Sequence, residues 1–279
     1  MMLKYRAALA LAAMTLWPLA ATAADYDPPI VVEEAPEYVP VEVGSGWYLR
    51  GDIGYALSTS AGSASYRTFT APSTYGSASF DSEDLDGEFT FGGGVGYRFT
   101  DYFRGDVTVD GFRADFSGTT SSTTPCGGPV GTTCRSEDSA EMSAISIMAN
   151  AYADLGTYVG FTPYVGAGAG YSYVSWSDLG STNYCVDGGG AVCPVAPPAT
   201  DTRGGAKDWR FTYALMAGVA YDLSQNLKVD LGYKYRRIDG GDMFGWNATD
   251  SAAGARGIQG KDGGLDQHEI KVGLRYEIW

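Results

Sequence analysis

Of the residues whose type and spacing could do chemistry, the four cysteines come first: Cys126 and Cys134 enclose seven residues, and Cys185 and Cys193 enclose seven more. Two local, equally spaced pairs read as two disulfides, Cys126 with Cys134 and Cys185 with Cys193, each stapling one loop in an oxidising compartment. The alternative, four thiolates around a metal, lacks the two-residue spacing usual for zinc, and that same compartment would oxidise its ligands. Acid–base chemistry has one imidazole to draw on, His268, with no serine beside it. A nucleophile and its base must lie within hydrogen-bond reach of each other. Asp239, Asp242, Asp250 and Asp262 could attract divalent cations but do not follow an EF-hand spacing. Gly166-Ala167-Gly168-Ala169-Gly170 imitates a nucleotide loop, yet no helical pattern follows it to carry a phosphate. The inventory predicts no catalytic residue, no metal site and no cofactor.

The elements that position these residues announce themselves by period-two alternation, the pattern of a half-buried strand. At the carboxyl end Ile270, Val272, Leu274, Tyr276 and Ile278 fall on one face, and Glu269, Lys271, Gly273, Arg275 and Glu277 on the other. Segments 47–57, 88–99, 103–112, 162–173, 210–223 and 227–236 repeat it. So does 143–155, where Ile145, Ile147, Ala149, Ala151, Ala153 and Leu155 would also fit a helical stripe and the opposite face of Asn150, Tyr152 and Asp154 decides for a strand. Between them, 58–87, 117–142, 174–209 and 237–267 are long and rich in Ser, Thr, Gly and Asp, whereas 100–102, 156–161 and 224–226 are short. An even strand count with alternating long and short connections predicts an all-β fold. The form expected is an eight-stranded antiparallel transmembrane β-barrel over 47–279, with short periplasmic turns and long extracellular loops. Trp47, Phe99, Phe103, Phe161, Tyr221 and Trp279 gather at the ends that the short turns join, where an aromatic girdle belongs.

A soluble barrel would also alternate, with its apolar side chains inside. Rows of Phe, Tyr, Leu and Val would overfill so narrow an interior. Gly92, Gly94, Gly96, Gly166, Gly168, Gly170, Gly218, Gly232 and Gly273 all share the polar face, where crowding asks for them. The apolar face is therefore predicted to point outward. By that parity the inward cations are Arg50, Arg98, Arg104, Arg210, Lys228, Lys234, Arg236, Lys271 and Arg275. The inward anions are Asp52, Glu88, Asp106, Asp110, Asp154, Asp222, Asp230, Glu269 and Glu277, nine against nine. A balanced interior can pair its charges, as burial demands. An ion-selective pore would show a surplus of one sign. The expectation is a salt-bridged plug, with a narrow channel as the alternative.

Residues 1–23 read as a signal peptide: Lys4 and Arg6, an apolar run from Ala7, then Ala21-Thr22-Ala23 at the cleavage site. Residues 24–46 hold Pro28, Pro29, Pro36 and Pro40 among six acids and read as an extended periplasmic linker. Without Lys4 and Arg6 the formal charge falls from -14 to -16, which disfavours a nucleic-acid partner. Mean hydropathy is -0.13, and no apolar run after the leader approaches the roughly 20 residues of a membrane helix.

Several stretches together carry a resemblance. These are the leader, the Pro/Glu linker, Gly46-Trp47-Tyr48-Leu49-Arg50-Gly51-Asp52-Ile53-Gly54-Tyr55, Asn150-Ala151-Tyr152-Ala153-Asp154-Leu155-Gly156 with Thr162-Pro163-Tyr164-Val165-Gly166-Ala167-Gly168, and the terminal Gly-Leu-Arg-Tyr. The chain resembles the small alphaproteobacterial outer-membrane β-barrel proteins, the opacity-like or heat-resistant-agglutinin-like porin family, over 47–279. The resemblance implies an envelope protein of the cell outer membrane, in contact with outer-membrane lipid and lipopolysaccharide. Its surface loops would serve adhesion to a host or surface ligand, with a channel second and a lipid-modifying enzyme a distant third. It also implies a terminal signal, here Tyr276, Ile278 and Trp279, read by the barrel assembly machinery, with Trp279 on the opposite parity from Tyr276. One intact-mass measurement on protein extracted from outer membranes tests the processing and the cysteines together. The expected mass is that of a chain beginning near Ala24, lowered by two disulfides; a retained leader or free thiols would contradict the reading.

Overall fold

Segments rich in Val, Tyr, Phe and Thr with alternating polarity form strands because the pleat sends successive side chains to opposite faces. The computed structural model describes residues 46–123, 130–194 and 198–278, with only the backbone of Glu88. Residues 1–45 of the expected leader and linker lie outside them. In chain order the elements are β1 (Trp47–Ser60), β2 (Ser65–Thr70), β3 (Thr74–Ser79), β4 (Ser82–Arg98), β5 (Phe103–Ser122), β6 (Thr133–Asp154), β7 (Phe161–Trp176) and β8 (Leu179–Val186). There follow β9 (Ala199–Arg203), β10 (Lys207–Asp222), β11 (Leu227–Ile238), β12 (Gly241–Phe244), α1 (Ala248–Ala252), β13 (Gly260–Asp262) and β14 (Leu265–Glu277).

Eight of these strands pair in a closed antiparallel ring, β1-β4-β5-β6-β7-β10-β11-β14, with β14 returning to β1. Closure removes the unpaired edges that an open sheet would expose. The register explains the glycines. Asp52 stands opposite Gly273 on one side and Gly92 on the other, Tyr48 opposite Gly96, Tyr152 opposite Gly166, and Tyr164 opposite Gly218. A large inward side chain thus leans over a neighbour that has none. A Cβ on Gly92 would come within 2.7 Å of Asp110 Cβ, and one on Gly232 within 2.7 Å of the Tyr164 hydroxyl.

The outward apolar face is exposed throughout the lower part of the ring, including Leu49, Ile53, Phe91, Val107, Ile147, Val165, Leu215, Leu231 and Leu274. Above that band the strands run on further than the alternation predicts. The β5–β6 ladder extends from Phe103↔Ala153 up to Ser122↔Cys134. Along this extension the faces exchange character without a change of parity. On β5 the outward residues become Arg113 and Asp115, while Phe112, Ala114 and Phe116 turn inward and are buried. On β6 Glu141 and Glu137 face out while Met142 and Ala144 are buried.

The long connections are also more ordered than their composition suggests. β12, β13, β2 and β3 form a second, four-stranded sheet, and β8 and β9 extend the main sheet beside β6. Together with the upper ring they enclose a core of Leu85, Phe112, Phe116, Met142, Val174, Trp176, Leu179, Ile238, Met243, Phe244 and Leu265. Phe116, Trp176 and Phe244 meet at centroid distances of 5.4 to 6.2 Å. The four long connections thus carry strands of their own: their few apolar residues are the ones that close this core, and burying them offsets the ordering of the polar stretches between.

Crowding predicts an asymmetry between two glycines of neighbouring strands. Gly96→Val would place a Cβ 2.2 Å from Cζ of the Tyr48 ring and is expected to cost about 1 to 3 kcal/mol or to block folding. Gly51 faces outward with no atom within 4 Å of its would-be Cβ, so Gly51→Val should fold normally. Urea titration in micelles, with gel migration before and after boiling, reads both; equal effects would remove the inward assignment.

Candidate functional site

Every inward polar side chain in the ring is delivered by the alternating register, so the site is the interior itself. At its lower rim, half-exposed, Arg98 pairs with Glu277, and Lys228 with Asp222 at 2.5 Å. One layer higher, Arg104 lies 3.1 Å from Asp154, and its guanidinium sits over the rings of Tyr152 (4.1 Å) and Tyr164 (4.8 Å). Beside it Arg275 faces Asp230 at 3.5 Å. At mid-height Arg50 grips Asp52 through two hydrogen bonds of 2.8 and 2.9 Å and donates to Asp106 and to the Tyr152 hydroxyl, both at 2.8 Å. Asp106 accepts further from Tyr48 (3.1 Å) and Asn150 (2.7 Å), and Lys271 reaches Asp52 at 3.6 Å. Near the top of the polar zone Asp110 receives both Lys234, at 3.2 Å, and Arg236, while Glu269 accepts from Thr90 at 2.6 Å.

These groups are almost wholly buried, Arg236 at 1% exposure and Asp106 at 5%. A buried charge without a partner costs several kcal/mol, and a shared network of the kind around Asp106 offsets that cost. A cavity among Asp52, Thr90, Asp110, Lys234, Glu269 and Lys271 has about 20 Å³, enough for roughly one water.

Of the charges singled out by parity, Arg50, Asp52, Arg104, Asp106, Asp154, Asp230, Lys234, Arg236, Asp110, Glu269, Lys271 and Arg275 meet inside the ring, and Arg98, Asp222, Lys228 and Glu277 meet at its rim. The Glu88 side chain lies outside the described residues. Arg210 behaves differently. Buried at the inward parity, it pairs not with another ring charge of the network but with Asp208 (2.8 Å), the buried Asp262 (2.7 Å) and the Asp242 carbonyl (2.8 Å), tying a ring strand to the upper sheet. Burial raises the Asp262 carboxyl above its ordinary value despite that cation. Sequence reasoning passed over Tyr48, Asn150, Tyr152 and Tyr164 as partners of the network, although their inward parity marked them.

The remaining candidates fall elsewhere. Cys185 and Cys193 form a disulfide. Cys134 is also disulfide-bonded, while Cys126, its expected partner, lies outside the described residues. His268 points outward, 2.5 Å from the Tyr233 hydroxyl and packed on the Tyr235 ring, in an aromatic cluster below the upper sheet. Asp242 pairs with Lys261 at 3.2 Å. Among the described residues no cluster of three or more His, Cys, Asp or Glu is arranged for a metal ion. At the carboxyl end Tyr276 and Ile278 share the exposed face, and the Ile278 amide donates to the Trp47 carbonyl at 2.8 Å; Trp279 lies outside the described residues.

Comparison with known proteins gives three findings. Residues 9–277 match the outer membrane protein beta-barrel domain. An uncharacterized protein of Brucella abortus (strain 2308) is 39% identical over 276 residues, covering 93% of this chain and 93% of its own length. Neisserial surface protein A, 17% identical, aligns with a TM-score of 0.42 over 85% of this chain and 100% of its own. OprG from Pseudomonas aeruginosa, 12% identical, aligns at 0.40 over 82% and 94%.

The pairing of the interior can be measured. Arg104→Met should strand the buried Asp154 and lower unfolding stability by about 3 to 5 kcal/mol. The double variant Arg104→Met with Asp154→Leu should recover most of that loss. Denaturation in micelles compares the two, and a double variant as unstable as the single one would mean that charge pairing is not what the site depends on.

Proposed function

The chain belongs to the outer membrane β-barrel protein family and is a protein of the bacterial outer membrane, and from that premise we propose that it is a closed envelope barrel whose work is done by its outer cap. In this reading the eight-stranded ring spans the bilayer with its short turns in the periplasm, residues 47–279 form the barrel, 24–46 a periplasmic linker, and 1–23 a cleaved leader. The band of outward apolar side chains meets lipid, and the level at which Arg113 and Glu141 replace Val109 and Ile145 on the outer wall marks the outer surface of the membrane. The upper sheet, the β8–β9 hairpin and the Cys185–Cys193 staple then stand outside the cell as an adhesive or ligand-binding surface. No catalytic residues are assigned.

The observation that carries the closed-barrel reading is the network around Asp106. Arg50 and Tyr48 of β1 and Asn150 and Tyr152 of β6 converge on the one carboxylate of Asp106 on β5 in the middle of the ring. Above it the apolar core headed by Phe116, Trp176 and Phe244 fills the mouth. An interior so filled offers ions no continuous hydrated path, whereas a conducting pore needs wet, weakly held sites.

Two assays separate the readings. Refolded protein in planar bilayers is expected to conduct poorly, and steady, large single-channel currents would favour the channel instead. Replacing only the exposed tips 71–73 and 188–191 with Gly-Ser, which leaves the apolar core in place, should reduce adhesion of cells displaying the protein while boiling still shifts its gel migration. Unchanged adhesion would take these tips out of the function.

A further inference from the structure

Above the polar plug, a cavity of about 80 Å³ opens between the second sheet, the β8–β9 hairpin and the upper end of β6. One wall is apolar, formed by Tyr66, Phe80 and Phe244, with Tyr66 and Phe80 packed edge to face at 5.4 Å. The other carries Asp138, Arg203 and Gln259. Asp138 is 6% exposed, and its Oδ1 accepts from Ser136 at 2.8 Å and from Ser181. Burial raises the Tyr66 phenol above its ordinary value.

Two polar atoms at this cavity have no hydrogen-bond partner among the described residues: the Gln259 carbonyl oxygen and the Arg203 Nε–H. Gln259 is 8% exposed and is otherwise held in place, its amide nitrogen donating to the Arg67 carbonyl at 3.3 Å. Arg203 is likewise fixed by Asp201 at 3.4 Å and by Ser181. A buried acceptor and a buried donor left open on residues that line one cavity call for a ligand with one group of each kind. A hydroxyl supplies both. A formal charge would suit the site badly, because an anion would confront Asp138 and a cation would confront Arg203. The aromatic rings in the lining ask for an apolar face of ring size, and the volume is well below that of a pocket for drug-sized ligands.

We propose that this cavity binds a neutral polyhydroxylated ring, one hexose unit, with its face on Tyr66 and Phe244 and its hydroxyl edge on Gln259 and Arg203. The site gives the proposed adhesive cap a ligand class, and in that sense rests on the functional reading, but its chemistry does not depend on which side of the membrane the cap faces.

The test uses full-length mature protein refolded in micelles, with glucose, galactose and N-acetylglucosamine as probes and glucuronate and glucosamine as charged controls. Saturation-transfer NMR and calorimetry are expected to give saturable binding of at least one neutral hexose in the millimolar range, as befits so small a ligand. Both charged controls should bind more weakly. Gln259→Met and Arg203→Met should each weaken binding roughly tenfold with unchanged gel migration; should one variant misfold, the other decides. No saturable binding of any neutral hexose, or binding indifferent to both substitutions, overturns the proposal. Surface biotinylation on intact cells tests the functional reading separately. A shielded cap that still binds hexose would overturn only the outward placement, and an exposed cap that binds none would overturn only this site.

Discussion

A ring of eight strands leaves an interior barely wide enough for the side chains that line it, and most of this sequence can be read as a response to that confinement. The response is a division of labour between neighbours in register. Where one strand sends Tyr48, Asp52, Tyr152 or Tyr164 inward, the strand beside it sends a glycine. Confinement also dictates the chemistry. Side chains that reach the centre meet partners from across the ring, so Arg50 of β1 can be held by Asp106 of β5 and Tyr152 of β6 together. Buried ion pairs add little net stability compared with apolar packing, but removing one partner is expensive. The network therefore acts chiefly as a register lock: slipping any strand by one residue would turn its charges toward lipid and its Phe or Leu into the plug.

The second constraint is the change of solvent along each strand. Through the lower ring the outer wall is apolar and the interior polar. Higher up the outer wall is charged and the interior apolar. β5 passes from one regime to the other between Val109 and Arg113 on its outer face, and between Asp110 and Phe112 on its inner face. The same strands therefore carry two cores in series, one of paired charges and one of Phe116, Trp176, Met142 and Phe244. The upper core needs lids that the ring cannot supply, and Leu179, Met243 and Phe244 come from the connections.

Much of this was legible in the sequence. Strict alternation in 227–236 and 268–278 identified strands and faces, because lipid outside and polar groups inside leave no other arrangement, and the glycine rows fixed which face was which. What was not legible was the upper half. A reading that looks for apolar residues outside stops at Phe112, because beyond it the alternation continues with the sign reversed: Phe112, Ala114 and Phe116 keep the inward parity of Asp110, while Arg113 and Asp115 keep the outward parity of Val109. The signal was present as a sign change in a preserved period. The cap strands were harder, since β2, β3 and β9 are short and rich in Ser and Thr without apolar alternation, and the sheet that β2 joins is completed by a distant segment, β13. Arg210 has the inward parity the sequence gives it, but its partner could not be read for a related reason: Asp262 lies 52 residues away in a connection that parity cannot address.

The two cores in series also separate what the fold requires of the ring from what it requires of the connections. The polar plug is specified by ring residues alone and asks nothing of the connections. The apolar core is shared, so the connections are constrained at the few positions that enter it, Leu179, Met243 and Phe244, and at Asp262, which meets Arg210. Between those anchors the chain is free in composition. The Cys185–Cys193 link lies in such a stretch, where few apolar contacts would otherwise limit the conformations of the unfolded loop. Order in the cap thus comes from a small number of anchored side chains, and of the polar residues held between them Arg203 and Gln259 are kept in place with hydrogen-bonding capacity left over. The ligand binding proposed for this cap would draw on rigidity imposed from below, because a group already held in place loses little entropy when a ligand arrives.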